Sequence, residues 1–205
     1  MGKNPNECLF KISTWLSFHL WDAITETVKS AIEGMDFLRR IANVVSSLGD
    51  YLEWTTPAGL LIRQKYQSQK KKMIRTELYG SILKSTVNLD TDGLDKKRQA
   101  NGICPNFIHS LDASALMIYL NKCKEAGIDS IMSVHDCYAT HATDTETSAR
   151  LLREAFVEVY SQPVLENWVN DVTKNLEISE EELPELPEKG DLDINEVLKS
   201  SYFFN

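Results

Sequence analysis

The chain lacks the cysteine spacing and the long apolar runs that mark zinc-binding, disulfide-rich or membrane-spanning proteins. Its four cysteines are Cys8, Cys104, Cys123 and Cys137, and no two of them form a Cys-x-x-Cys pair. This spacing argues against a zinc site or a disulfide framework and fits a reducing compartment. The apolar stretch 9–21 is interrupted by Lys11 and His19 and is too short to span a bilayer, so we expect no membrane partner.

The chain also has fewer basic than acidic residues. It contains 22 Lys and Arg residues and 30 Asp and Glu residues, which gives a net charge of −8. The total argues against a nucleic-acid-binding protein, but the distribution of charge argues for one. Residues 63–98, here called the basic segment, hold ten basic and four acidic side chains, whereas residues 144–196 hold four and fifteen. Because phosphate binding depends on the local potential, the basic segment is a candidate nucleic-acid surface. The alternative is a solvated, lysine-rich loop.

The periodicity of apolar residues predicts helices separated by short strand pairs, which is an α+β fold. Residues from about 9 to 48 predict a helix with one core-facing stripe. That stripe consists of Trp21, Ile24, Val28, Ile32, Met35 and Leu38. Residues 52–66 predict a hairpin, and the basic segment predicts a two-stranded ribbon that turns near Gly80. Residues 106–126 predict a second helix that ends at Gly127, and a later helix should bury Trp168 and Val172.

A histidine and an aspartate, His135 and Asp136, lie between two short stretches rich in β-forming residues, 131–134 and 137–141. The polar pair therefore falls where a hairpin would turn. A carboxylate at a tight hairpin tip is rigid and exposed, which suits a Mg²⁺ ligand when the metal must also hold substrate phosphates. On the dipeptide alone, an ordinary loop carboxylate beside a partly buried histidine is the simpler interpretation.

Four blocks, in order along the chain, resemble the C-terminal palm of the single-subunit RNA polymerases of bacteriophages, mitochondria and plastids. They are LEWTTPAGL at 52–60, PNFIHSLDAS at 105–114, SVHDCYATHATD at 133–144, and LPEKGD at 186–191 followed by the terminal YFFN. Together they cover the chain from about residue 20 to its end. The forms HSLD, VHDC and the YFF tail are nearer the mitochondrial and plastid branch than the phage enzymes.

The resemblance implies that Asp136 is one of two aspartates that bridge two Mg²⁺ ions, with His135 packed beside the growing RNA end. It implies a DNA template, ribonucleoside triphosphates and an RNA product. The nucleic-acid contacts it implies are Lys70, Lys71, Lys72, Arg75, Lys84 and His109. Arg75 has the chemistry to bind guanine in a bidentate manner. The tail residues Phe203, Phe204 and Asn205 are expected near the active site.

On this interpretation the chain is one C-terminal polymerase fragment with four segments. We expect a long helical segment at 1–50, a hairpin and DNA-facing ribbon at 51–100, a palm helix with the His-Asp hairpin at 101–142, and C-terminal helices with the tail at 143–205. The fold would be the distal palm and the adjacent fingers portion of a right-hand polymerase. Its expected location is the cytoplasm of a bacterial host, as a phage or prophage protein, or alternatively the mitochondrial or plastid matrix.

The family's second metal-bridging aspartate and its nucleotide-gripping Arg/Lys/Tyr helix have no match in the sequence. We therefore expect the missing N-terminal part of the polymerase to be a partner, and the chain alone to be inactive. A DNA-binding or complementing module is the alternative function. Two other families carry a His-Asp pair: the A-family DNA polymerases, which usually follow it with Glu, and the HD-type phosphohydrolases. For the latter, His109, His135, Asp136 and Asp171 would be the metal ligands.

Overall fold

The computed structural model describes residues 5–134, 137–174, 176, 178 and 182–203, and within this part the chain folds as a mixture of helices and antiparallel strand pairs. Five α-helices are present: α1 Pro5–Thr27, α2 Lys29–Ser47, α3 Lys96–Glu125, α4 Thr145–Tyr160 and α5 Val164–Thr173. The strands form three separate two-stranded sheets. The predicted α+β class is confirmed.

The three sheets are hairpins of consecutive strands. They comprise β1 Leu52–Thr55 with β2 Leu61–Gln64, β3 Gln67–Leu78 with β4 Ser81–Leu94, and β5 Ile131–Val134 with β6 Cys137–Thr140. Short 3₁₀ helices occur at Ala142–Asp144 and Ile194–Lys199. The hairpin at 52–66 and the ribbon turning near Gly80 are thus confirmed, although the ribbon strands are longer than their β-forming residues indicated.

The main core lies where α2, β1, α3 and α5 meet. It contains Ile41 and Val45 from α2, Trp54 from β1, Phe107 from α3 and Trp168 from α5, all at most 4% exposed. The rings of Phe107 and Trp168 are 5.5 Å apart, and the indole nitrogen of Trp54 donates to Ser110 at 3.2 Å. The prediction that Trp168 and Val172 face inward is confirmed.

The expected single helix at 9–48 is instead two helices that break at Val28, where φ is −115° and ψ is 51°. The core-facing stripe holds only in its second half, because Leu38 is buried whereas Trp21, Ile24 and Val28 are 53%, 49% and 43% exposed. The prediction is wrong for these three residues because α1 extends away from the described core. No described helix has the length and apolar character needed to cross a membrane.

Helix α3 begins ten residues before its predicted start, and Pro105 lies inside it. Asp95 caps the true start, since its carboxylate accepts a hydrogen bond from the Arg98 amide at 3.0 Å. A proline inside a helix costs about 3 kcal/mol through its missing donor and its ring clash. Burial of Ile103, Cys104 and Phe107 around it supplies packing energy of the same order.

Candidate nucleic-acid and catalytic site

The hairpin β5–β6 surrounds the position of the predicted catalytic pair. Its register pairs Val134 with Cys137 and Ile131 with Thr140, so the two strands are antiparallel and adjacent. His135 and Asp136 connect them in the sequence and lie outside the described residues. The strand arms are therefore as the sequence predicted, and the roles of the His-Asp pair remain predictions.

A second core cluster anchors this hairpin to the long helix α3 and to α4. The ring of Tyr138 on β6 packs edge-on against Tyr119 of α3, with 5.1 Å between centroids. The Tyr119 hydroxyl shares a 2.6 Å hydrogen bond with Ser148 of α4. Burial raises the pKa of Tyr119 to about 12, so this hydroxyl stays protonated through the neutral range. The hairpin thus has a rigid base.

The C-terminal tail returns to the same region. Phe203 packs edge-on against Phe156 of α4 at 4.7 Å between centroids, and the Arg153 guanidinium donates to the Ser201 carbonyl at 3.4 Å. Phe203 also lines a cleft of about 480 Å³ together with Cys137 and Tyr138 of β6. Phe204 and Asn205 lie outside the described residues. The functional role of the tail is still a prediction.

The predicted nucleic-acid residues of the basic segment lie on the β3–β4 ribbon. Lys70, Lys71, Lys72 and Arg75 are on β3 and Lys84 is on β4, all exposed. In the described part of the chain none of the five forms an ion pair. His109 is exposed on α3, a different element.

A buried polar network at the ribbon's base was not anticipated from the sequence. The Gln64 side chain donates to the Gln99 carbonyl at 2.8 Å, and the Gln99 side chain donates back to the Gln64 carbonyl at 3.0 Å. Asn106 donates to both Gln64 Oε1 and the Tyr66 hydroxyl, at 2.8 and 3.1 Å. These bonds fix the start of the ribbon on α3. No signal in the sequence pointed to this network, because Gln64 and Gln99 stand in polar, basic stretches where an amide side chain is unremarkable.

Two of the four residues that an HD-type phosphohydrolase would use as metal ligands, His135 and Asp136, lie outside the described residues, so that alternative stays a prediction. Asp171 accepts a hydrogen bond from the Thr55 amide at 2.6 Å and lines a separate cleft of about 330 Å³ beside Trp54. Among the described residues, no group of three or more His, Cys, Asp or Glu side chains is arranged to hold a metal.

Comparison with known proteins defines the class of this fold and site. The sequence model of the DNA-dependent RNA polymerase family matches residues 1–182. The chain is 38% identical over 203 residues, 99% of its length, to mitochondrial DNA-directed RNA polymerase 1 of Nicotiana sylvestris. It is 39% identical over 183 residues, 89% of its length, to chloroplastic/mitochondrial DNA-directed RNA polymerase 2 of Arabidopsis thaliana.

The chain spans 20% of the Nicotiana sylvestris relative and 17% of the Arabidopsis thaliana relative. It is also 44% identical over 154 residues to DNA-directed RNA polymerase 1A of Nicotiana tabacum, covering 75% of this chain and 95% of that relative. The chain belongs to the DNA-dependent RNA polymerase family, and its predicted resemblance to the single-subunit, mitochondrial-type branch is confirmed.

Proposed function

We propose that the chain is the C-terminal part of a DNA-directed RNA polymerase, which makes RNA on a DNA template from ribonucleoside triphosphates. The observation that carries this proposal is the family match through residues 1–182, which includes the His135–Asp136 hairpin. The paired arms of β5 and β6 and their anchoring on α3 support it. In this proposal residues 101–142 carry the catalytic hairpin and residues 51–100 carry the nucleic-acid ribbon.

The donor set of this chain fits one part of a magnesium site. A carboxylate is the ligand that Mg²⁺ prefers, and Asp136 supplies one between two strands, of which β6 is held on α3 by the packed rings of Tyr138 and Tyr119. Bound Mg²⁺ would stabilise negative charge on the transferring phosphate and activate the primer hydroxyl. Asp136 would hold the metal, and His135 would orient the hairpin and the RNA end. The second carboxylate would come from a part of the polymerase outside this chain.

The location and partners follow from the same relatives. Their mitochondrial and chloroplast names favour the organelle matrix over the bacterial cytoplasm as the place where this chain works. The partner is the remaining portion of the polymerase, since the longer relatives are about five times the length that the chain covers. By itself the chain would serve as a DNA-binding or complementing module, and its exposed basic ribbon supports that second function.

The test is a chimera in which this chain replaces the matching portion of the Nicotiana sylvestris relative. We expect the chimera to extend an RNA primer with ribonucleotides and Mg²⁺, and Asp136→Asn to abolish extension by at least about 10³-fold, because an amide binds Mg²⁺ far more weakly. The chain alone should give no extension. The nearby substitution Asp144→Asn is the matched control and should retain activity.

Two results would contradict the proposal. Full activity of the Asp136→Asn chimera would show that this carboxylate is not needed for catalysis. Robust synthesis by the chain alone would show that it carries a complete metal site.

A further inference from the structure

One face of the β3–β4 ribbon carries a continuous row of exposed aliphatic side chains. Side chains alternate between the two faces along a strand, and directly opposed residues share a face. The register therefore places the even-numbered residues 70–78 of β3 and the odd-numbered residues 81–89 of β4 on the same face, here called the row face. Each of its five cross-strand pairs contributes one aliphatic side chain, and from tip to base these are Leu78, Leu83, Ile74, Val87 and Leu89. Their exposed fractions run from 37% to 52%.

The opposite face of the ribbon has a different chemical character. Its two apolar side chains, Met73 and Ile82, are separated by the Arg75–Lys84 pair and form no row. It also holds carboxylates, those of Glu77 and Asp90, beside its basic side chains. Only the row face therefore combines an unbroken apolar row with charge of a single sign.

The charge on the row face comes from Lys70 and Lys72, which are paired with Leu89 and Val87 at the base end of the row. None of the ten residues in its five pairs is acidic. A phosphate backbone would satisfy the lysines but would leave the row in water, because aliphatic side chains gain nothing from phosphates. The complementary surface is one with its own apolar row and with carboxylates near one end, which is the chemistry of a protein segment.

The dimensions of the row match an α-helix. Four intervals of two residues along a strand give a length of about 27 Å, which a helix of about 18 residues spans. The row is one side chain wide, like the apolar stripe of an amphipathic helix. Packing of a helix on a strand pair is also a common way to cover an apolar sheet face, and a two-stranded hairpin by itself is only marginally stable.

We propose that the row face is a docking site for an acidic amphipathic helix of a partner protein. The apolar stripe of that helix packs along the five aliphatic side chains, and its carboxylates pair with Lys70 and Lys72. This inference goes beyond the proposed function, and it gives these two lysines a different partner from the nucleic acid that the sequence predicted.

The experiment uses the full chain and a fluorescein-labelled helical peptide of about 18 residues. Its leucines recur at spacings of three and four, and glutamates flank them. A second peptide carries lysine in place of every glutamate, and fluorescence anisotropy measures the affinity of the chain for each. We expect the glutamate peptide to bind at least about ten-fold more tightly, because only its charges complement Lys70 and Lys72.

Variants at adjacent positions test which face binds the glutamate peptide. Val87→Glu adds a charge to the row, whereas Thr86→Glu adds the same charge to the opposite face and is the matched control. Val87→Glu should weaken binding about ten-fold through the lost apolar contact, and Thr86→Glu should weaken it less than about two-fold. Lys72→Gln should weaken binding about two-fold and reduce its dependence on salt, while Lys71→Gln should change neither.

Failure of the glutamate peptide to bind, or equal binding of the lysine peptide, would overturn the proposal. Equal losses in Val87→Glu and Thr86→Glu would also overturn it, because neither face would then be preferred. Displacement of the peptide by a DNA duplex that Val87→Glu binds more weakly would assign the row face to nucleic acid instead. A dimer of the chain that Val87→Glu dissociates, with no peptide bound, would assign it to a second copy. Each of these results leaves the polymerase proposal standing, since primer extension by the chimera decides that separately.

Discussion

At the residue scale, Gly102 on α3 lies so close to Tyr66, at the base of the ribbon, that there is little room for a side chain. A Cβ built on Gly102 would lie 2.7 Å from Tyr66 Cε2 and 3.1 Å from its hydroxyl. The ring cannot move freely, because Asn106 donates to its hydroxyl and the Arg98 guanidinium lies 5.0 Å from its centroid. The glycine therefore allows the helix and Tyr66 to approach closely. Gly34 on α2 is the natural comparison, since a Cβ there would meet nothing within 4 Å.

We predict that Gly102→Ala lowers the free energy of unfolding by about 1–3 kcal/mol, because overpacking displaces Tyr66. Gly34→Ala should raise it by about 0.5–1 kcal/mol, since alanine favours a helix and the site is open. Urea denaturation followed by circular dichroism measures both. A stabilising effect of Gly102→Ala would show that Tyr66 moves aside without cost.

Residue-level prediction from the sequence succeeded where a residue acts through its own chemistry and failed where it acts through a distant partner. The burial of Trp168 followed from its own apolar ring and its place in a helix, but Gln64 and Gln99 could not be paired in advance. They are separated by 35 residues, and only the folded chain brings their amides together. The same holds for Asp171, whose hydrogen bond from the Thr55 amide joins residues 116 positions apart.

At the element scale, the two-residue turn of the ribbon contains a glycine that the sequence predicted and a tyrosine in a strained conformation. Gly80 has φ of +76°, as a tight hairpin turn requires, and the sequence identified it. Tyr79 also has a positive φ, of +49°, which is unfavourable for a bulky residue, and its side chain is 99% exposed. Asparagine tolerates this conformation better, which is why Asn-Gly is a preferred pair in such turns.

We predict that Tyr79→Asn increases hydrogen-exchange protection of the amides near the tip of β3 and β4, by a few-fold, because it relieves backbone strain of about 1 kcal/mol. Gly80→Ala should have the opposite effect, since alanine is strained at φ of +76°. Mass-spectrometric exchange over residues 73–87 measures both variants. Reduced protection in Tyr79→Asn would mean that the exposed tyrosine ring stabilises the tip.

Helix α3 explains why element boundaries were harder to predict than element types. The predicted helix began at residue 106, directly after Pro105, and proline is disfavoured within a helix. The true start is set by Asp95, and the helix continues through the proline because its buried side chains on either side pack into the core. Tertiary packing therefore outweighs the unfavourable helix propensity of proline at this position. The local sequence pattern carries no information about that packing.

At the scale of the whole molecule, α1 exposes several large apolar side chains. Phe10, Trp15 and Phe18 are 72%, 62% and 65% exposed, and α1 makes few contacts with the other described elements. The sequence predicted its helical periodicity correctly but could not identify what lies against the apolar side. Since the longer relatives extend far beyond the matching region, surface of this kind fits a part of a larger polymerase.

The tail lies beside the β5–β6 hairpin, and two neighbouring aromatic residues make it possible to test whether it positions that hairpin. Phe203 packs on Phe156 and borders the cleft beside Cys137, whereas Tyr202 is 83% exposed. If the tail positions the hairpin, loss of the packed ring should disturb catalytic geometry, to which rates are sensitive over shifts of about 1 Å. Loss of the exposed ring should not.

We therefore predict that Phe203→Ala in the polymerase chimera lowers the primer-extension rate roughly ten-fold while changing DNA affinity less than about two-fold, the pattern of a group that acts on the reacting geometry. Tyr202→Ala is the matched control and should change neither quantity, because its ring is exposed. Single-turnover extension and equilibrium DNA binding measure the two effects separately. If Phe203→Ala lowered rate and affinity equally, or lowered neither, the tail would only pack against α4 and would not position the hairpin.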